Sequence, residues 1–211
     1  MPDNDASVVE LKKSTAKPRF CRTCQQYKPP RAHHCSTCER CILKMDHHCP
    51  WIGNCVGHFN HGHFVRFLVY VVLACGMCLT VLGLRTYEII EHEYALYPDV
   101  TELIFLVLNL IATTIVLILV GLLSVFHIWS VSGNTTTIEN WENSKIRKMQ
   151  ERGEIRQAEF PYNVGAYRNI CLVLGDNPLL WLWPQPARGD GINYPVASHL
   201  GEWASAARIQ C

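Results

Sequence analysis

Hydropathy divides the chain into a polar, cysteine-rich first part, two long apolar runs and a mixed C-terminal part. Phe67–Leu84 (FLVYVVLACGMCLTVLGL) holds no charged residue and is bracketed by Arg66 and Arg85. Leu103–Trp129 is longer, and His127 is its one titratable group. A bilayer core about 30 Å thick needs roughly 20 apolar helical residues. The pattern therefore predicts membrane-spanning helices over 66–86 and 103–129. A buried helix pair in a soluble protein would need a large apolar partner, and the remaining sequence is too polar to supply one.

The connection over 87–102 carries Glu88, Glu91, Glu93, Asp99 and Glu102 and no Lys or Arg. Nearly all basic residues lie outside the two runs and this connection. The positive-inside rule places the acidic loop in the lumen and both chain ends in the cytosol. After the second run, Asn134–Gln157 reads as a polar helix with Lys145, Arg147, Lys148, Arg152 and Arg156. This helix is either a solvated face or a contact for anionic headgroups. Asn177–Pro184 (NPLLWLWP) is too short to span and suits an interface or a packed turn. The division is then a polar tail (1–17), a cysteine-rich domain (18–65), a span (66–86), a luminal loop (87–102), a second span (103–129) and a C-terminal region (130–211). Neither a repeat of solenoid length nor a low-complexity tract is evident.

Charge and cysteine usage sharpen the picture. The net charge of +1 in 211 residues gives no reason to expect nucleic acid. Residues 1–20 are polar and charged, which argues against a secretory signal there. Seven of the eleven cysteines fall within Cys21–Cys55, interleaved with His33-His34 and His47-His48. Cys21/Cys24 and Cys35/Cys38 are two C-x2-C knuckles, a pattern that fits zinc better than disulfides. Two tetrahedral sites need eight ligands from seven Cys and four His. If each His pair gives one ligand, one cysteine is spare. Cys49 is a candidate, because it follows directly on an Asp and a His pair. A thiol beside a His–Asp couple is the arrangement that activates a nucleophile; the alternative is that Cys49 is another ligand or a buried bystander.

Asp46–Cys49 reads DHHC. Cys55, Asn60 and Phe64 follow in a C-x4-N-x3-F pattern. Thr136–Glu139 reads TTIE just after an apolar run, and Asn163–Gly175 (NVGAYRNICLVLG) lies further on. Together these motifs resemble the DHHC protein S-acyltransferases (palmitoyltransferases) over roughly residues 18–175. The resemblance implies a mainly α membrane protein: transmembrane helices with a cytosolic zinc-binding domain of short β-hairpins and loops. It implies two structural zinc ions, one on Cys21, Cys24, His34 and Cys41, the other on Cys35, Cys38, His48 and Cys55. Cys49 is then the nucleophile, His47 the general base and Asp46 its orienting partner. Thr137 is expected near Asp46, Asn169 in a structural role and Trp51 near the bound thioester. The implied reaction moves a palmitoyl group from acyl-CoA to cysteines of substrate proteins, at the membrane lipid surface of an endomembrane such as ER or Golgi. Nucleic acid is not an implied partner. Members of that family carry four spans, so the first two are expected to be missing from this sequence. A catalytically inactive, membrane-tethered zinc module acting as an adaptor or regulator is the competing expectation.

Smaller signals stand outside these motifs. Cys75/Cys78 reads as packing within a span. Cys171 and Cys211 read as free or acylated thiols. His58, His61 and His63 read as interface or capping residues rather than a third metal site. Lys12, Lys13, Lys17, Arg19, Arg22 and Lys28 face either solvent or anionic lipid.

Overall fold

The computed structural model describes residues 18–91, 98–154 and 160–197. Lys12, Lys13, Lys17, Glu93, Arg156 and Cys211 lie outside the described residues. The chain forms two compact units, Val65–Ile128 and the remainder.

The cysteine-rich part of the larger unit is three antiparallel two-stranded hairpins. They are β1 (Phe20–Cys21) with β2 (Gln26–Tyr27), β3 (His33–Cys35) with β4 (Arg40–Ile42), and β5 (His47–Cys49) with β6 (Asn54–Val56). In register, His34 faces Cys41 and His48 faces Cys55. Each turn ends on a left-handed residue just before its second strand: Gln25 (φ 53), Glu39 (φ 52) and Gly53 (φ 59). Strands of two or three residues cannot bury a core of their own. The apolar cluster is accordingly small: Cys35, Met45 and Cys55, with Cys38, Ile42 and Ile138 against it.

Helix α3 (Thr137–Glu151) begins on a capping box. The Thr136 side chain accepts the Glu139 N–H at 3.2 Å, and the Glu139 carboxylate accepts the Thr136 N–H at 2.9 Å. Helix α4 (Ala166–Leu174) is bounded by Gly165 (φ 105) and Gly175 (φ 104), conformations that side chains other than glycine rarely adopt. It buries Asn169 and Cys171. NPLLWLWP forms a single 3-10 turn at Pro178–Leu180, with Leu179 and Trp183 exposed and the Trp181 indole donating to the Gly175 carbonyl at 2.8 Å.

A buried polar joint ties the second hairpin to α3. Arg31 donates from Nε to Glu139 Oε1 and from Nη2 to Oε2, both at 2.7 Å. It also reaches the Asn134 carbonyl at 2.6 Å, and its guanidinium lies over the Tyr162 and Tyr194 rings at 4.5 and 4.9 Å. Asn134 Oδ1 accepts from Lys44 Nζ at 3.0 Å, and its amide donates to the Tyr162 carbonyl at 2.7 Å. Arg31, Lys44 and Asn134 all have positive φ, at 63°, 44° and 50°. That backbone is unfavourable for residues with a Cβ and persists where surrounding bonds over-determine it.

Two helices are long and apolar enough to cross a membrane: α1 (His61–Glu91) and α2 (Val100–Ser132). Both are longer than the spans read from hydropathy (66–86 and 103–129), and they take much of the 87–102 connection into helix. Hydropathy marks only the apolar stretch, whereas helical hydrogen bonding continues through polar turns at either end. Within the smaller unit, Arg85 bonds Glu102 at 2.7 Å and links α1 to α2 beside the acidic connection. Leu119, Leu122 and Val125 remain exposed, as lipid-facing residues should. The Cys78 sulfur lies 3.7 Å from Thr113 Oγ1, and Cys75/Cys78 join no metal-type group among the described residues.

Arg31→Met removes the partner of a buried carboxylate. It is expected to cost about 3–5 kcal/mol, because Glu139 is left as an uncompensated charge. Tryptophan-monitored thermal unfolding of the detergent-solubilised chain reads this directly, and a shift corresponding to less than about 1 kcal/mol would contradict the role assigned to the joint.

Candidate active site

Two groups of metal-type ligands form across the hairpins. Cys21, Cys24, His34 and Cys41 make one, and Cys35, Cys38, His48 and Cys55 the other, with all donor atoms of a group within 4.8 Å of one another. Around tetrahedral zinc with Zn–S of about 2.3 Å, neighbouring sulfurs lie about 3.8 Å apart. Cys24 and Cys41 Sγ are 3.8 Å apart, Cys38 and Cys55 Sγ 3.5 Å, and the sulfurs lie 3.3–3.6 Å from His34 or His48 Nδ1. Among the protein groups alone, burial and the neighbouring sulfurs push both Cys41 and Cys55 up to about 12. Several thiolates can share so small a space only around a cation. Donor type and spacing both fit zinc.

Each group takes a C-x2-C knuckle from one hairpin and a His and a Cys from the next. The arrangement repeats along the chain: Cys21, Cys35 and Cys49 recur at intervals of 14 residues, as do His34 and His48, and Cys41 and Cys55. In the first two hairpins the second knuckle residue is Cys24 or Cys38, whereas in the third it is Ile52. Knuckle geometry turns backbone N–H groups onto the first sulfur. The Cys24 N–H lies 3.5 Å from Cys21 Sγ and the Cys38 N–H 3.4 Å from Cys35 Sγ. In the third hairpin the backbone N–H groups of Ile52 and Trp51 likewise act to lower the Cys49 thiol. Cys49 thus sits where a metal ligand would sit, but outside both ligand groups.

The chemistry around it is complete. Asp46 is fully buried. Its Oδ2 accepts from His47 Nδ1 at 2.6 Å and from Thr137 Oγ1 at 2.8 Å, and its Oδ1 accepts the Thr137 N–H at 2.8 Å. With Nδ1–H given to Asp46, Nε2 is the basic nitrogen of His47. Burial pulls the imidazole down, but Asp46 and the Cys49 sulfur outweigh it and hold His47 above its ordinary value. Burial pushes the Cys49 thiol up, yet the His47 bond and the two backbone N–H groups hold it below the ordinary thiol value. The Phe64 ring lies edge-on to His47, centroids 5.1 Å apart. A buried thiol whose ionisation is favoured beside an oriented imidazole is the arrangement a nucleophilic cysteine needs.

The structure matches the TTIE stretch to three tasks. Thr136 caps α3, Thr137 holds Asp46, and Glu139 binds Arg31. Asn169 is fully buried. It donates to the Ser132 carbonyl and to Asn163 Oδ1, each at 2.7 Å, and accepts the Val164 N–H at 3.1 Å. Asn60 accepts the Gly57 N–H at 2.8 Å and donates to the Cys55 carbonyl at 2.9 Å, which ties β6 to the start of α1. Trp51 is 93% exposed.

Comparison with known proteins decides the family. The DHHC palmitoyltransferase family model matches residues 14–144. The chain belongs to the DHHC palmitoyltransferase family. It is 47% identical over 196 residues to palmitoyltransferase PFA4 of Mycosarcoma maydis, covering 91% of this chain and 41% of that protein. It is 39% identical over 198 residues to the probable protein S-acyltransferase 16 of Arabidopsis thaliana, covering 92% and 68%. Palmitoyltransferase PFA4 of Saccharomyces cerevisiae is 32% identical over 217 residues, covering 83% and 57%. The chain spans about half the length of the fungal relatives it matches. Its two apolar helices agree with a membrane-associated family.

Sequence reasoning missed Arg31, Lys44, Asn134, Tyr162 and Tyr194, which hold α3 in place. No local pattern points to them, because Arg31 and Glu139 are 108 residues apart. It also missed the 14-residue recurrence, which is visible in the sequence and sets Ile52 against Cys24 and Cys38.

Alkylation of Cys49 by iodoacetamide, followed against pH by mass spectrometry, is expected to show a midpoint below the ordinary thiol value of 9.0. His47→Gln should raise that midpoint, and an unmoved midpoint would mean that His47 does not act on the sulfur.

Proposed function

We propose that this protein transfers a long-chain acyl group, typically palmitoyl, from acyl-CoA to cysteine thiols of substrate proteins through an acyl-Cys49 intermediate. The observation that carries the reading is Cys49 itself: a cysteine in a knuckle position, outside both metal groups, hydrogen-bonded to a histidine that Asp46 orients.

In the first step His47 Nε2 takes the Cys49 proton as the sulfur attacks the thioester carbonyl. The carbonyl–sulfur bond to CoA breaks, and the proton on His47 passes to the departing CoA thiolate. In the second step a substrate cysteine gives its proton to His47 and attacks the acyl-Cys49 carbonyl. The acyl group moves to the substrate, and Cys49 recovers the proton. One thioester replaces another at each step, so no oxidant or external energy source is needed. The protein supplies proton transfer and alignment. Trp51, exposed beside Cys49, is the side chain we assign to the incoming thioester.

Two zinc ions are assigned to the two Cys3His groups, where they cross-link successive hairpins. Four protein ligands close each site, and zinc so held is structural. Both termini and the hairpins are assigned to the cytosolic side of an endomembrane, with the acidic connection opposite.

Purified wild-type chain should take hydroxylamine-sensitive label from a palmitoyl-CoA probe and hold two zinc ions. Cys49→Ser should abolish labelling with zinc unchanged. His47→Ala should slow labelling on the order of 10²–10⁴-fold. Thr137→Val, which removes one donor from a buried carboxylate, should slow it about tenfold or more. Full labelling of Cys49→Ser would overturn the nucleophile assignment. Two zinc ions with no labelling of the wild type would favour the adaptor reading.

A further inference from the structure

A cavity of about 120 Å³ opens in the unit that carries the hairpins, and none of Asp46, His47 and Cys49 lines it. Lys44, Asn134, His58, His61, His63 and Arg188 supply its polar wall, and no carboxylate is among the lining residues. Lys44 is 6% exposed. Its ammonium has three N–H donors; among the described residues, one goes to Asn134 Oδ1 at 3.0 Å. Burial, with Arg31 nearby, pulls Lys44 down to about 7, while the Glu139 and Asp46 carboxylates act to raise it. A further anion in the cavity would add to that stabilisation. His61 and His63 belong to the first turn of α1, and a helix N-terminus adds partial positive charge.

The walls are built rather than loose. Asp190 accepts the N–H groups of Ile192 and Asn193 at 2.9 and 2.8 Å, and the Tyr194 hydroxyl donates to the Gly191 carbonyl at 2.7 Å. Gly191 has φ +76, and a Cβ there would meet the His58 ring at 2.9 Å. Arg188 pairs with Asp176 while lining the cavity. A single water needs roughly 10–15 Å³ of such space, so the cavity holds several waters and admits a phosphate group.

We infer that this cavity binds a single phosphate group, either free or as the headgroup of a lipid such as phosphatidic acid. The site is separate from the acyl-transfer residues, so Cys49→Ser should leave it intact.

The test is equilibrium binding of radiolabelled orthophosphate to the full chain in phosphatidylcholine nanodiscs and in nanodiscs doped with phosphatidic acid. Wild type should bind saturably at one site in phosphatidylcholine. Lys44→Met should weaken binding about tenfold or more, as loss of a charge-assisted bond does, and Arg188→Gln should weaken it by less. Suppression of orthophosphate binding by phosphatidic acid, in wild type and Cys49→Ser alike, identifies the lipid headgroup as the source. Equal binding in both nanodiscs identifies free phosphate. If Lys44→Met loses its zinc and so fails to fold, the affinity of Arg188→Gln decides the outcome. Absence of saturable binding to the wild type, or unchanged affinity in the folded variants, overturns the proposal.

Discussion

A buried carboxylate that gathers donors from distant segments organises this molecule. Asp46 is fully buried just ahead of the third hairpin, and His47 and both groups of Thr137 converge on it. An unpaired carboxylate at that depth would be strongly unfavourable, so its donors are held in place by structure that reaches far along the chain. Thr137 is the first residue of α3, and α3 is set by the Thr136–Glu139 capping box and by the bidentate Arg31–Glu139 pair. Arg31 in turn lies just ahead of the second hairpin. The imidazole beside Cys49 is therefore oriented by a closed circuit: hairpin to carboxylate, carboxylate to α3, and α3 back to the hairpins.

The circuit explains why polar contacts take the place of a conventional core. Strands of two or three residues bury little apolar area, and the cluster around Met45 is correspondingly small. Rigidity comes from the Cys3His groups and from the joint around Arg31 and Asn134. Three residues in that joint adopt left-handed backbone without being glycine. The bonds around each over-determine its conformation.

The hairpin repeat also gives the setting of Cys49 a physical origin. A zinc knuckle stabilises a thiolate in two ways: by metal, and by backbone N–H groups turned onto sulfur. The third hairpin keeps the second and lacks the first, because Ile52 stands at the partner cysteine's position. His48, one residue before Cys49, belongs to a metal group, while Asp46 and His47 precede it. A short strand thus alternates a side chain of a metal-type group with the Asp–His–Cys set, and a metal held by His48 would fix the backbone from which the others project.

The sequence alone determined what local pattern controls. Uncharged runs of sufficient length predict the two apolar helices, because the signal is contained within each helix. Ligand spacing predicts metal groups, because a knuckle is made within four residues. Counting ligands leaves a cysteine over, and the 14-residue recurrence points to Cys49 on spacing. What only the tertiary structure decided is everything that joins distant segments. Arg31 meets Glu139 across 108 residues, Thr137 meets Asp46 across 91, and Asn169 reaches Ser132 across 37. The polar cavity around Lys44 gathers residues from five parts of the chain. Such contacts leave no periodicity in sequence, since each is one side chain satisfying one buried group, and burial is a property that exists only once the chain has folded.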